Sequence, residues 1–360
     1  MDQRDIDAAR QAGILDDAKA NELANFFKER AAPGISSDDE SLRFLTNFND
    51  IFISVGIVIL SIGLMMGSGA MLASTGSALV ALAPVLVALW LMLEYFAGRR
   101  RLLLPSMTLT VMITFITTLL TALVANGLAT FDSATSTFAG NLSDNLSTIK
   151  GVALWSAGGA VLGAGIIYAR FRLPFSLFLI AVAVAGGLYA EAFTNGNVGS
   201  VYSGGASFLI GLITLAIAIF FDARDPARQT LSADNAFWLH LAAAPQIMLG
   251  LRAIFSGGTF DTLSGGEAAP LLIALAGFSV LSLAINRRAL VAAGLLSFWI
   301  AINAITDQAT SGVWQVALPL LLLGGGIVLL GAGWKTARRL VLAFMPKSGI
   351  FARIFPPEPA

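Results

Sequence analysis

Residues 76–125 read GSALVALAPVLVALWLMLEYFAGRRRLLLPSMTLTVMITFITTLLTALVA, two apolar stretches with three consecutive arginines, Arg99, Arg100 and Arg101, between them. Each stretch is about 20 residues long, the length a helix needs to cross roughly 30 Å of hydrocarbon. Three guanidinium groups in a row cannot stay in that hydrocarbon, so the chain must surface between the stretches. The segment therefore reads as two membrane spans joined by a short basic turn.

Outward from this pair the pattern repeats. Apolar runs occupy 51–72, 76–96, 104–125, 152–169, 174–193, 204–221, 236–255, 269–285, 289–305 and 313–334. Pro105, Pro174 and Pro270 fall where first helical turns are expected, and there a missing N–H is harmless. Hydrophobic residues make up 56% of the chain and charged ones 12%, with a mean hydropathy of +0.79; an ordinary soluble domain carries about 25% charged residues. The fold class expected is all-α: a polytopic integral membrane bundle of ten transmembrane helices. It is preceded by a short helical hairpin and linker over 1–37 and followed by a basic tail over 335–360, with the bundle spanning 38–334.

Orientation follows from the basic residues. Arg99–Arg101, Arg170 and Arg172, Arg224 and Arg228, Arg287 and Arg288 occupy alternate gaps. With the N-terminal segment and the tail they place 20 of the 22 Lys and Arg on one side. The other gaps hold Lys150 alone, and Arg252 lies within a run. Basic residues in short loops stay in the cytoplasm, so both termini are expected there, and residues 126–150 outside. Trp90, Tyr95, Trp155, Tyr168, Trp238, Trp314 and Trp334 lie near run ends, as interfacial aromatics do.

The composition excludes much chemistry. Without cysteine there is no disulfide, thiolate nucleophile, Cys-ligated zinc or iron–sulfur cluster, and one histidine cannot make a multi-His metal site. No Walker loop, zincin helix or nucleophile elbow occurs. No metal and no cofactor is expected. The lipid bilayer is the expected surrounding, and nucleic acid is not an expected partner. The N-terminus is acidic and lacks an apolar core before Ile51, so the first span is expected to direct insertion itself.

Residues 1–50 carry six basic and eleven acidic groups, a balance that holds the segment off an anionic leaflet. Helices are expected over 2–11 and 17–30, with Gly13 as a stop and Asp16 as an N-cap. Ala20, Leu23, Ala24 and Phe27 share a face that Ile6, Ala9 and Ile14 could cover, too small for independent stability. A Pro/Gly/Ser linker follows at 31–37, then a capping box at Ser37-Asp38-Asp39-Glu40, then Asn49-Asp50 as cap of the first span. The segment reads either as a docking module for a protein partner or as a solubilising tail.

Ala8-Ala9-Arg10-Gln11-Ala12-Gly13-Ile14-Leu15-Asp16-Asp17-Ala18-Lys19-Ala20 resembles the opening of bacterial membrane proteins of the domain-of-unknown-function 2157 group (DUF2157). There a short helical pair with a Gly-Ile/Leu turn precedes many spans. The stretch from Asp39 to Phe52 is similar to related uncharacterised chains. The resemblance implies a bacterial inner-membrane protein and offers no functional residues to carry over.

Polar residues inside the runs are the remaining clues, since burying an ionisable group in lipid costs several kcal/mol. Glu94, Glu191, His240 and Arg252 are the ionisable candidates, each set against snorkelling or a structural ion pair. Pro245-Gln246 interrupts the seventh run near its middle and Pro84 the second, matching places if ten spans are two inverted sets of five. Thr110, Thr114, Thr117 and Thr121 lie on one face of the third helix, which lines a polar path or packs on a neighbour. Together Pro84, Thr114, Thr117, Pro245 and Gln246 are the candidate polar pathway. Gly63-x-x-x-Gly67 and Gly159-x-x-x-Gly163 fit close helix contact. Asp222, Arg224, Asp225, Arg228 and Asp234 form a loop cluster that could hold Mg²⁺ for lipid phosphoryl transfer, or is a hydrated loop of i, i+3 charge pairs, the better account. The expected function is a non-enzymatic membrane component, scaffold or sensor. The alternatives are a secondary transporter for a small solute and, less favoured, an enzyme acting on lipid.

Overall fold

The computed structural model describes residues 48–125, 146–194, 201–225, 230–255, 265–287 and 310–345, together with shorter pieces between 10 and 23, at 228, and between 290 and 306. The chain divides into two compact units, Met1–Ser41 and Leu42–Ala360. In the first, Gly13 adopts φ +71° and its amide donates to the Arg10 carbonyl at 3.1 Å, after which residues 18–23 are helical with Ala20 buried. The expected linker at 31–37, the capping box at 37–40 and the Ser/Thr/Asn-rich stretch 126–145 lie outside the described residues.

The second unit is all-helical among the described residues. Helix α1 spans Phe48–Thr75. It has already begun at Phe48, so Asn49 and Asp50 lie in the helix rather than capping it. The Asp50 carboxylate there favours the positive end of the helix dipole. Ser54, Ser61 and Ser68 recur every seven residues on the inward face. Their hydroxyls donate back to the carbonyls of Asp50, Ile57 and Met65 at 2.7–2.8 Å, which keeps polar side chains satisfied at depth.

The chain then turns sharply. Gly76 takes φ +66°, a left-handed conformation that costs glycine nothing, and Ser77 N-caps the next helix. Helix α2 (Ala78–Leu93) buries a stripe of Ala78, Ala81, Leu82, Val85, Leu89 and Leu93 and runs into a π-helical turn, Glu94–Arg100. Helices α3 (Leu103–Ala125), α4 (Leu146–Phe171), α5 (Phe175–Thr194), α6 (Val201–Arg224), α7 (Leu231–Phe255), α8 (Gly265–Ile285) and α9 (Trp314–Ala343) follow. Among the described residues four connecting turns close on a left-handed residue that is not glycine: Arg101, Arg172, Arg228 and Asn286, at φ between 52° and 60°.

Among the described residues seven helices, α1 to α7 with the π-helical turn counted to α2, are long and apolar enough to cross a membrane. The apolar part of α8, Ala269–Ile285, is shorter, and α9 bends by 65° between Trp314–Leu329 and Gly331–Ala343, giving an eighth span if the bent pair is one. The ninth apolar run, 289–305, lies largely outside the described residues. The protein is a multi-pass helical membrane bundle of at least seven apolar spans.

Leu82, Val85, Leu89, Leu93, Leu109, Ile113 and Ile116 form one core among α1 to α4, and Leu215, Ala243, Ala244, Ile247 and Met248 a second between α6 and α7. Helix α5 joins them, packing on α3, α4, α6 and α7. Two contacts are made at backbone distance. A Cβ on Gly159 would stand 2.1 Å from Thr121 Oγ1, and one on Gly163 2.4 Å from Thr117 Oγ1, so the threonine face of α3 is the seat of the glycine pair of α4. Between α6 and α7, a Cβ on Gly250 would meet the Phe208 amide nitrogen at 2.5 Å, and one on Gly211 the Ile247 nitrogen at 2.8 Å. By contrast, Gly63 and Gly67 of α1 have nothing within 4 Å.

Candidate functional site

The arginine-bearing turns meet at one end of the bundle. Glu94, which opens the π-helical turn after α2, is half-buried and pairs with the exposed Arg170 of α4 at 2.6 Å. The Asn235 amide of α7 donates to the Tyr168 hydroxyl of α4 at 3.0 Å. Phe175 and Phe178 of α5 pack around Trp238 of α7, the nearer ring 4.8 Å away.

Behind this rim lies a buried ionic cluster. Asp222, at the end of α6, is 6% exposed, and Arg287, just past α8, is 3% exposed. The Arg287 Nε reaches both carboxylate oxygens at 3.2 and 3.3 Å, its Nη2 binds Asp222 Oδ1, and the same nitrogen donates to the Ala233 carbonyl of α7 at 3.1 Å. His240 of α7 is fully buried and turns its Nε2 to Asp222 Oδ2 at 2.7 Å. One carboxylate thus gathers donors from two other elements, and α6, α7 and the end of α8 are tied at a single point.

The chain builds this point locally. Asn286 in the left-handed conformation breaks α8, and the Arg287 amide donates to the Ser282 carbonyl at 2.9 Å, which swings Arg287 back under the helix end. Trp334 of α9 donates its indole N–H to Asn286 Oδ1 at 2.9 Å. Arg228 donates to the Ile285 carbonyl at 2.7 Å, one of the acceptors that a helix end leaves open. Asp225 accepts from both the amide and the hydroxyl of Thr230 at 2.7 Å, fixing the approach to α7. The expected hydrated loop is therefore overturned: Asp222 and Asp225 are buried. Asp222 is bonded to groups 18 and 65 residues away rather than three or four. Hydropathy ended the sixth run at residue 221, one residue too early to see it.

When the His240 Nε2–H donates to Asp222 Oδ2, Nδ1 is left as an acceptor, and that atom has no hydrogen-bond partner among the described residues. A second such atom lies deeper. Gln246 is 4% exposed; its Nε2 donates to the Ala181 carbonyl of α5 at 3.4 Å and its Oε1 has no partner among the described residues. The Gln246 carbonyl accepts from Ser207 Oγ at 2.9 Å, and the Tyr189 hydroxyl donates to that Oγ at 2.9 Å. Helices α5, α6 and α7 are thereby linked beside Pro245.

The other candidates fall elsewhere. Pro84 is on the exposed face of α2, away from the buried side that carries Leu82 and Val85. Thr117 packs on Gly163; Thr114 is buried with no hydrogen-bond partner for its hydroxyl among the described residues. Glu191 and Arg252 are half-buried near the C-terminal ends of α5 and α7. Sequence reasoning singled out His240 and Gln246 but missed the roles of Asp222, Ser207, Asn286 and Arg287. A lone histidine near the same end of the hairpin as an aspartate at the edge of a run was the available signal. No family model matches the chain, and neither does any curated protein or solved structure.

Proposed function

We propose that the chain is a non-enzymatic membrane component, a scaffold or sensor, seated in a bacterial inner membrane through ten spans with both termini in the cytoplasm. The supporting observation is the closure of α6 on α7 around Gln246. Glycines on both helices bring the backbones together there, and Ser207 is bonded to the Gln246 carbonyl, which closes α6 directly on α7 at the depth of this amide. Catalysis finds little support. Asp222 is engaged by Arg287 and His240 and Asp225 by Thr230. The likeness to the DUF2157 group fits this reading, and the acidic N-terminal segment is its proposed docking site for a protein partner.

The unfilled acceptors Gln246 Oε1 and His240 Nδ1 favour a second reading, a permease. Single cysteines separate the two cleanly, because the chain has none of its own. Cysteines at 242, 243 and 246 are exposed in membrane vesicles to a small water-soluble thiol reagent. A closed scaffold leaves all three unreacted until the protein unfolds; reaction at 246 from one side of the membrane overturns the scaffold reading in favour of a path.

A further inference from the structure

We infer that the C-terminal half of α9, Gly331–Ala343, is an interfacial helix that binds the anionic headgroups of the bilayer. Trp314–Leu329 is an apolar segment of about 24 Å at about 1.5 Å per residue, most of the thickness of a hydrocarbon core. The helix then bends by 65°. With the first half along the membrane normal, the second lies within about 25° of the membrane plane.

The residues of that second half suit the position. At about 100° per residue, Lys335, Arg338 and Arg339 share one arc, while Trp334, Ala337, Leu340, Val341 and the C-cap Phe344 share the other. Lys335 and Arg339 are exposed, and so are Leu340 at 64% and Phe344 at 90%. A helix with an exposed apolar arc beside a basic one is soluble neither in water nor in hydrocarbon and settles at the boundary between them. The root of the segment is fixed to the bundle, because Trp334 is buried and bonded to Asn286. The bend is thus anchored at the end of the bundle where the arginines gather. An anionic headgroup is the partner that two exposed cations beside Leu340 and Phe344 recognise; acyl chains receive the apolar arc. Free phosphate would satisfy the cations alone.

The test uses the full chain in nanodiscs of phosphatidylcholine mixed with phosphatidylglycerol. An environment-sensitive fluorophore is placed on a single cysteine at 344, and quenching by brominated phosphatidylglycerol is compared with quenching by brominated phosphatidylcholine. The expected result is blue-shifted emission, quenching by both lipids, and a preference for phosphatidylglycerol. That preference is insensitive to added inorganic phosphate at constant ionic strength. It falls by up to roughly five-fold for each charge removed in Lys335→Gln and Arg339→Gln. Both residues are exposed, so these variants keep the fold, and their melting in detergent verifies it. Equal quenching by the two lipids in the unmodified chain overturns the headgroup site. Water-like emission without quenching overturns the interfacial placement. Blue-shifted emission without quenching, growing with the number of chains per disc, overturns it in favour of a contact between copies.

Discussion

Removing the charge of Asp222 while keeping its shape measures what the buried cluster contributes. Asp222→Asn leaves the Arg287 guanidinium buried with no carboxylate, and such broken pairs cost about 3–5 kcal/mol. Arg287→Gln strands the carboxylate with a similar cost. The double variant is expected to lose less than the sum of the two, read from denaturant or thermal unfolding in detergent; strict additivity would show that the contact carries no coupling. A second contrast lies in the glycines. Gly159→Leu and Gly163→Leu should separate α3 from α4, since even a Cβ collides with threonine there. Gly63→Leu, on an open face, should leave melting nearly unchanged. The two G-x-x-x-G pairs are identical in sequence pattern, so nothing local distinguishes them; only the threonine face opposite one of them does. Gln246 was legible for the opposite reason. A lone amide at mid-span must turn from lipid to protein, whichever helix receives it. Asp222 was not, because its partners come from elements far along the chain.

Helices are the scale at which sequence and structure agree best. The run 204–221 became α6, Val201–Arg224, and the run 51–72 became α1, Phe48–Thr75. Each gained a turn or less at its ends, where polar residues are helical without being apolar. Helix α7 shows the larger error. It starts at Leu231, five residues before the run, because Asp234 and Asn235 belong to its first turns, and hydropathy reads such residues as loop although a helix N-terminus favours them. The split of α9 was invisible, since its apolar residues continue past the bend as one arc of an amphipathic helix. The α6–α7 pair is the element most exposed to disruption. Gly250→Val places two methyl groups where the backbone of Phe208 already stands. The expected result is a loss of several kcal/mol or failure to assemble, seen as a collapse of the folded fraction in detergent. Ser207→Ala, which removes the bond to the Gln246 carbonyl and the acceptor of the Tyr189 hydroxyl, should cost about 1–3 kcal/mol.

For the whole molecule, the gathering of the arginine-bearing turns at one end makes orientation the global property to measure. A cysteine at 140 should react with an impermeant thiol reagent in intact cells, and one at 100 only after lysis; the reverse pattern inverts the proposed topology. Deletion of residues 1–34 should leave membrane insertion and melting of the rest nearly unchanged, since Met1–Ser41 is a compact unit of its own; a large loss would show that the bundle depends on it. On the proposed topology, Arg101, Arg172 and Arg228 carry both of the signals a translocating chain must supply, where a helix stops and which way the next one runs. Glycine or asparagine would form each left-handed turn with less strain, yet neither would hold its loop on the near side of the membrane. One residue type thus punctuates and addresses the chain at once, and substitution can separate the two messages. Lysine preserves the address and keeps the strained stop; asparagine eases the stop and weakens an address that Arg99, Arg100, Arg170 and Arg224 still carry. A chain rewritten with asparagine at 101 and 172, leaving Arg228 to its bond with the Ile285 carbonyl, should therefore gain stability in detergent while it inserts less efficiently in a cell.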